Sequence, residues 1–181
     1  MFFRDGDFVA IDFETADYQR DSACAVALAR VENNRIVQRM YRLIRPPRKT
    51  VVFSYLHGIK WEDVAREPTF GEIWPQLLPM IQGASFLAAH NASFDRSVLE
   101  TCCQVSGLGI PQAKFLCTVN LARKILGIYP TQLPQVCSKL GIRLDHHNAA
   151  SDADACAPIV IAARKKMTTP SVRKPGSGHG K

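Results

Sequence analysis

The sequence predicts an α/β domain built on one mixed sheet that is flanked by helices. Three runs rich in strand-forming residues come first, at 8–13, 23–31 and 36–44. In the rest of the chain, apolar residues at helical spacing alternate with a short strand pattern. This order predicts three antiparallel strands, followed by strands that join the sheet in parallel and by helices that cover both faces.

The residue pattern in the first half of the chain predicts the antiparallel strands. The run Phe8-Val9-Ala10-Ile11-Asp12-Phe13 is apolar except for one acid. Asn33-Asn34 lies between the second and third runs and is typical of a tight hairpin turn. Pro46-Pro47 then interrupts the strand pattern. We therefore expect a three-stranded meander that ends before residue 46.

The second half predicts helices around one more strand. Short helices are expected at 61–65 and 70–81, a strand at 86–89, and a last helix at 151–166. Two further helices are predicted from apolar residues that recur three or four positions apart and should face the core: Phe94, Val98, Cys102 and Val105 in one, and Val119, Ala122 and Leu126 in the other.

Size and charge predict one domain at 1–166 and a disordered basic tail at 167–181. A chain of 181 residues with 46% hydrophobic side chains suffices for one core. The net charge is +7, but six of the 23 Lys and Arg residues lie from Arg164 onward, where no acid occurs. The rest of the chain is nearly neutral, so charge alone does not indicate nucleic-acid binding. The tail is rich in Pro, Gly and Ser, a composition that disfavours a packed core.

The sequence predicts a cytoplasmic protein with no membrane partner. No apolar run approaches the roughly 20 residues that cross a bilayer, and the first residues lack the pattern of a signal peptide. The six cysteines form no Cys-x-x-Cys pair, which favours buried, reduced thiols over a zinc site or disulfides.

Two acids at the end of the first strand are candidate metal ligands. Side chains alternate along a strand, so Asp12 and Glu14 share one face while Phe13 points to the other. Neighbouring carboxylates repel each other, and a cation offsets that repulsion. Oxygen ligands of this kind suit Mg²⁺ or Mn²⁺. Taken alone, the pattern is equally typical of a solvated strand end.

Two later segments carry further candidates. Asp95 follows the polar end of the fourth predicted strand, where it either joins a ligand site or only stabilises the first turn of a helix. His147 lies five residues before Asp152, so a loop can present an imidazole while the last helix holds a carboxylate. This arrangement suits metal-assisted hydrolysis, in which a base must reach the attacking water. A surface loop followed by a helix cap is the alternative interpretation.

Together, these segments resemble the DEDDh (DnaQ-like) 3′–5′ exonucleases. The resemblance rests on Asp12-Phe13-Glu14-Thr15, on Phe94-Asp95 and on His147 to Asp152, and it extends from about Phe8 to Ala163. Leu56-His57-Gly58-Ile59 is similar to the His-Gly-Ile element of that family. The resemblance implies an RNase H-like mixed sheet of five strands.

The resemblance also implies the roles of individual residues. Asp12, Glu14, Asp95 and Asp152 would hold two Mg²⁺ or Mn²⁺ ions, with Asp12 shared by both ions, and His147 would act as the general base. Nucleoside 5′-monophosphates would be released from the 3′ end of a nucleic acid. Contacts to the terminal nucleotide would come from Phe13, Thr15, Ala16, Leu56 and His57.

Several alternatives stay open at the level of sequence. His146 competes with His147 as the base, and Asp154 competes with Asp152 as a ligand. The expected substrate is the 3′ end of single-stranded DNA, with RNA as the alternative, and a polymerase or a second copy of the chain is the expected protein partner. From a different functional class, a non-catalytic module that grips strand ends is also consistent with the fold.

Overall fold

A computed structural model of the chain describes residues 3–168. This part contains one sheet of five strands: β1 (Phe8–Thr15), β2 (Ala23–Glu32), β3 (Arg35–Leu43), β4 (Leu87–Ala89) and β5 (Phe115–Cys117). Their order across the sheet is β3-β2-β1-β4-β5. The first three strands pair in antiparallel fashion, and β4 and β5 join in parallel beside β1. The predicted mixed sheet is confirmed.

The β2–β3 hairpin turns at the predicted pair of asparagines. Asn33 and Asn34 have positive φ angles of 51° and 60°, and Glu32 pairs with Arg35 directly across the turn. Two-residue hairpins of this kind need positive φ at both central positions, a conformation that asparagine tolerates well. The local sequence therefore fixes the hairpin that starts the sheet.

Helices cover both faces of the sheet. They are α1 (Ser54–His57), α2 (Trp61–Val64), α3 (Phe70–Ile81), α4 (Ser93–Val105), α5 (Thr118–Leu121), α6 (Leu133–Leu140) and α7 (Ala149–Thr168), and a π-helical segment at Ala122–Leu126 continues α5. The sequence analysis did not predict α1 or α6. α7 begins two residues before the predicted start and ends at Thr168, two residues inside the predicted tail. The remainder of that tail, 169–181, lies outside the described residues.

The alternating side chains of β1 divide the core into two layers. Val9, Ile11 and Phe13 pack with α3 and α4 on one face. Phe8 and Ala10 pack against α7 on the other face. Because Asp12 and Glu14 follow Phe8 and Ala10 at two-residue spacing, β1 directs both acids toward the face that α7 covers.

Two sequence-based expectations about burial need correction. Val105 was expected to face the core, but it is 68% exposed. It is the last residue of α4, beyond the core contacts of Val98 and Cys102, and periodicity does not reveal where those contacts end. The six cysteines are free thiols as expected, although Cys117 is only partly buried. Within residues 3–168, no helix is long and apolar enough to cross a membrane.

Candidate active site

The predicted acids and one predicted histidine line a single cavity of about 310 Å³ beside the carboxyl end of β1. The lining residues are Asp12, Phe13, Glu14, Thr15, Phe53, Leu56, His57, His90, Asn91, Phe94, Asp95, His147 and Asp152. The cavity therefore collects side chains from β1, from the loop and helix α1 that follow the meander, from the β4–α4 junction and from the start of α7.

Small residues allow α7 to approach β1 closely. Asp12 pairs with Ala27 of β2, and Ala27 packs against Ala149 and Ala153 at the start of α7. These alanines leave room for the first turn of the helix above the sheet. As a result, Asp152 lies beside the two acids of β1.

Asp95 reaches the site from the first turn of α4. Asn91, with a φ of 71°, turns the chain between β4 and that helix. The Asp95 side chain is 1% exposed, and its Oδ1 accepts a hydrogen bond of 3.1 Å from the Phe13 N–H. This bond ties α4 to the end of β1 and places the Asp95 carboxylate next to Asp12.

Asp152 is held on one side and open on the other. Its Oδ2 lies 3.0 Å from Nδ1 of His146 and accepts a bond of 3.4 Å from the His147 N–H. Its Oδ1 is buried and has no hydrogen-bond partner within residues 3–168. A buried carboxylate oxygen normally has a partner, so Oδ1 is a suitable ligand atom for a cation in the cavity.

The two competing histidines occupy different positions. His147 lines the cavity, with a φ of 65° that is uncommon for a residue other than glycine. The His146 ring stacks on the His147 ring, with centroids 3.9 Å apart, and contacts Asp152. Of these two histidines, only His147 lines the cavity.

The competing carboxylates also separate. Asp152 is 5% exposed and lines the cavity. Asp154 instead accepts hydrogen bonds from Arg39 of β3 at the surface, at 2.8 and 2.9 Å. Geometry thus favours Asp152 over Asp154 as the acid of this helix that could serve the site.

Burial and mutual repulsion raise the pKa values of the clustered acids. Burial is the largest cause of the raised pKa of Asp12, and the neighbouring carboxylates of Asp95, Glu14 and Asp152 add to it. The same two effects raise the pKa of Glu14 to about 8, and burial also raises the pKa of Asp95 and of Asp152. Such a cluster is unfavourable in the ionised form unless positive charge enters the cavity.

The donor set fits a divalent cation in chemical type. Carboxylate oxygens are the preferred protein ligands of Mg²⁺ and suit Mn²⁺, and the partnerless Oδ1 of Asp152 adds a specific ligand atom. Among the described residues, however, no three acidic, imidazole or thiol groups already surround one point as a finished metal site. Binding would therefore include a movement of the carboxylates toward the ion.

Most of the predicted substrate residues line the cavity, but their backbone groups are partly engaged. Phe13, Thr15, Leu56 and His57 line it. The Phe13 N–H is bonded to Asp95. The Thr15 carbonyl lies 3.2 Å from Nε2 of His57, whose Nδ1 accepts the Ile59 N–H. These bonds fix one tautomer of His57 and hold the His-Gly-Ile segment against β1.

The structure does not place Ala16 in the cavity. Its side chain is fully buried. Its N–H donates to the Ser22 carbonyl, and its own carbonyl accepts from Val52 and Phe53. Both backbone groups of Ala16 thus already join neighbouring loops, and its contact with the terminal nucleotide stays a prediction.

Four lining residues were not predicted from the sequence as site residues: Phe53, His90, Asn91 and Phe94. His90 and Asn91 directly follow the buried strand β4, so polar residues after a buried strand were the available signal. The aromatic pair offered no comparable signal, because Phe53 and Phe94 resemble core residues in composition and spacing.

The chain matches a family model that is described as an exonuclease, RNase_T, over residues 9–160. The DNA polymerase III PolC-type protein of Thermotoga maritima is 29% identical over 177 residues, which cover 95% of this chain and 13% of that protein. The PolC-type protein of Halalkalibacterium halodurans is 32% identical over 172 residues, or 91% of this chain and 12% of that protein. The chain thus spans about an eighth of the length of these relatives.

Solved exonucleases share the fold. Exonuclease X, solved with 5′-overhanging duplex DNA, has a TM-score of 0.73 and 24% identity, covering 90% of this chain and 94% of that chain. The nuclease domain of 3′hExo, a DEDDh family member bound to rAMP, has a TM-score of 0.72 and 18% identity, covering 90% and 92%. The Escherichia coli ExoI–ssDNA complex has a TM-score of 0.74 and 14% identity, covering 92% and 42%.

These neighbours confirm that the five-stranded sheet is of the RNase H-like type. The family match extends from the second residue of β1 into α7 and so includes every element that lines the cavity. The chain therefore belongs to the RNase_T exonuclease family.

Proposed function

We propose that this chain is a metal-dependent 3′–5′ exonuclease that removes nucleotides from the 3′ end of single-stranded DNA and releases nucleoside 5′-monophosphates. One observation carries the proposal: four carboxylates and the His147 imidazole, drawn from segments far apart in the sequence, line one cavity. Membership of an exonuclease family supports the same chemistry.

The carboxylates are proposed to hold two divalent cations, Mg²⁺ or Mn²⁺. Asp12, Glu14 and Asp152 would hold one, and Asp12 with Asp95 the other. When bound, such a pair of ions stabilises the charge on the attacking and leaving oxygens of an in-line displacement. Two observations support this assignment. A bound cation would give Oδ1 of Asp152 a partner, and its positive charge would offset the repulsion that helps to raise the pKa values of Asp12 and Glu14.

His147 is proposed to accept the proton of the attacking water. Its imidazole faces the cavity, and histidine ordinarily exchanges protons near neutral pH. His146 is proposed to position Asp152, because its Nδ1 lies 3.0 Å from the Asp152 carboxylate. One imidazole thus moves a proton while the other orients a ligand.

The proposed substrate is DNA. The similar PolC-type proteins are DNA polymerases by name, and one structural neighbour was solved with single-stranded DNA. Thr15, Leu56 and His57 would hold the terminal nucleotide, since they line the cavity beside the carboxylates. A polymerase is the proposed protein partner, with a homodimer as the other candidate assembly.

The test is a 5′-labelled single-stranded DNA incubated with the protein and Mg²⁺ or Mn²⁺. Stepwise 3′ shortening with nucleoside 5′-monophosphate as the product is expected, and a chelator should stop it. Asp152→Ala should abolish shortening. Asp154→Ala is the matched control, because it removes a carboxylate of the same helix that lies at the surface and pairs with Arg39. Such a surface pair contributes little to stability.

The assay also separates the competing functions. A strand-end binding module would retard the DNA without shortening it. Faster shortening of an RNA of the same sequence would overturn the proposed preference for DNA. Equal loss of activity in Asp152→Ala and Asp154→Ala would argue against a specific role for the cavity.

A further inference from the structure

A second groove, here called the side groove, adjoins the catalytic cavity. Its volume is about 520 Å³, and His90 and Asn91 line both spaces. Its other wall includes Arg123, Tyr129 and Gln132. Because two residues are common to both linings, the two spaces lie next to each other, at a distance that neighbouring nucleotides of one strand can span.

The chemistry of the side groove differs from that of the cavity. Its lining includes the cation Arg123 and no carboxylate, whereas four carboxylates line the cavity. Tyr129 is 64% exposed, so its ring is accessible to a ligand in the groove. An exposed cation, an exposed aromatic ring and polar groups form a typical surface for single-stranded nucleic acid.

The wall of the groove is fixed to the catalytic cavity. Gly127, with a φ of 72°, ends the π-helical segment, and the Ile128 N–H then bonds back to the Ala122 carbonyl at 2.9 Å. His90 Nε2 lies 2.9 Å from the Thr131 carbonyl, and Nδ1 lies 2.8 Å from the Thr118 hydroxyl. Since a carbonyl only accepts, Nε2 carries the hydrogen. His90 therefore holds the loop that carries Tyr129 and Gln132.

We infer that the side groove binds the nucleotides that precede the 3′-terminal nucleotide, with Arg123 pairing to a backbone phosphate and Tyr129 stacking on a nucleobase. This inference rests on the proposed function, because it assumes that the terminal nucleotide lies in the cavity. A strand that enters the cavity is a polyanion approaching four acids. A cation at the adjoining groove offsets that repulsion at the next part of the strand.

The test is the salt dependence of binding, measured by fluorescence anisotropy of a labelled single-stranded oligonucleotide in EDTA, so that no hydrolysis occurs. Loss of one phosphate contact on a single strand reduces the slope of log K against log salt by about 0.7. Arg123→Ala should show this reduction together with weaker binding. Lys124→Ala is the matched control, since it removes an equal charge from the next residue, which is exposed but does not line the groove.

The aromatic contact is tested in the same assay. Tyr129→Ala should weaken binding about tenfold, the order expected for loss of one stacked base, with an unchanged salt slope. Tyr129→Phe keeps the ring and should restore the affinity that Tyr129→Ala loses. If Tyr129 only stabilises the loop, both variants should lose affinity, or the thermal unfolding of the protein should change.

The outcomes distinguish this inference from the proposed function. Equal slopes for Arg123→Ala and Lys124→Ala, or no binding by the unaltered protein, would overturn the side-groove inference. Hydrolysis is measured separately, with Mg²⁺ and the same oligonucleotide. If binding depends on the groove but no metal-dependent hydrolysis occurs, the proposed function is overturned and the side-groove inference is supported. If hydrolysis occurs but Arg123→Ala and Lys124→Ala have equal slopes, the side-groove inference is overturned and the proposed function is supported.

Discussion

Nδ1 of His146 lies 3.0 Å from Oδ2 of Asp152, while the other oxygen of that carboxylate has no partner within residues 3–168. The imidazole thus fixes the carboxylate from one side and leaves Oδ1 available to a cation. The His147 ring, stacked on His146, faces the cavity itself. Under the proposed function, His146 and His147 would therefore carry out separable tasks, and substitutions should distinguish them.

Replacing His147 with Ala should slow turnover by roughly 10²–10⁴-fold, the usual contribution of a general base. His146→Ala should slow turnover by about tenfold, since outer partners of a metal ligand have smaller effects. It should also raise the Mg²⁺ concentration that half-maximal activity requires. Steady-state kinetics at varied Mg²⁺ measure both effects. A larger loss in His146→Ala than in His147→Ala would reverse the two assignments.

Replacing Asp12 with Asn should abolish activity and yet stabilise the metal-free protein. Asp12 is buried among three other carboxylates, so a neutral isostere removes repulsion and desolvation. We expect the metal-free Tm to rise by a few degrees and the further rise on adding Mg²⁺ to disappear. Differential scanning calorimetry with EDTA or Mg²⁺ measures this, and Asp154→Asn at the surface is the control. A lower metal-free Tm in Asp12→Asn would contradict the repulsion argument.

The stability of the metal-free protein should decrease as the pH rises from about 4.5 to about 8. The ordinary pKa of Glu14 is 4.5, and in the folded chain it is raised to about 8. Between these values the folded state binds the proton that the unfolded state releases, so a higher pH favours unfolding. Urea unfolding in EDTA across this range measures the effect.

Glu14→Gln is the variant that checks this pH dependence. It removes the titrating group, so the decrease should become shallower, although the raised pKa values of Asp12 and Asp95 act in the same direction. Saturating Mg²⁺ should also make the loss of stability with rising pH smaller. A stability that rises with pH in EDTA would show that the cluster is not repulsive.

Arg164 should contribute about 3 kcal/mol to the free energy of unfolding, the order expected when several acceptors lose a buried charged donor. The residue is 7% exposed, and its guanidinium donates to the carbonyls of Phe3 and Gly6 and to Oδ1 of Asn34. Arg164→Ala leaves these acceptors without that donor. Urea unfolding measures the loss, with Lys166→Ala, an exposed change in the same helix, as a control expected to lie within about 0.5 kcal/mol of the unaltered protein.

Patterning predicted most elements of the fold but missed α1, β5 and α6. β1 to β3 follow apolar runs and a hairpin turn that local chemistry specifies. β5, at Phe115–Cys117, has only three residues, and it exists because it pairs with β4 through Leu87 and Phe115. α6 begins at Leu133-Pro134, where a proline in sequence resembles a loop signal. Such elements depend on tertiary contacts rather than on their own pattern.

The sequence was sufficient to identify the candidate acids, but it did not show which of the neighbouring residues line the site. Asp12 and Glu14 share a face because strands alternate, which sequence reveals directly. The separation of His146 from His147 depends on a positive φ at His147, which a loop sequence does not reveal. The bonds of Ala16 to Ser22 and Val52 depend on loop packing, which the sequence does not reveal. The His90 link to Thr131 is likewise a long-range contact.

The distribution of the acids along the chain has a consequence for biosynthesis. β1 and α4 leave the ribosome well before α7, so a nascent chain carries Asp12, Glu14 and Asp95 while Asp152 and His147 are still missing. The cavity closes only when the first turn of α7 docks on Ala27. Under the proposed function, a product that ends before α7 would lack Asp152 and would not hydrolyse nucleic acid.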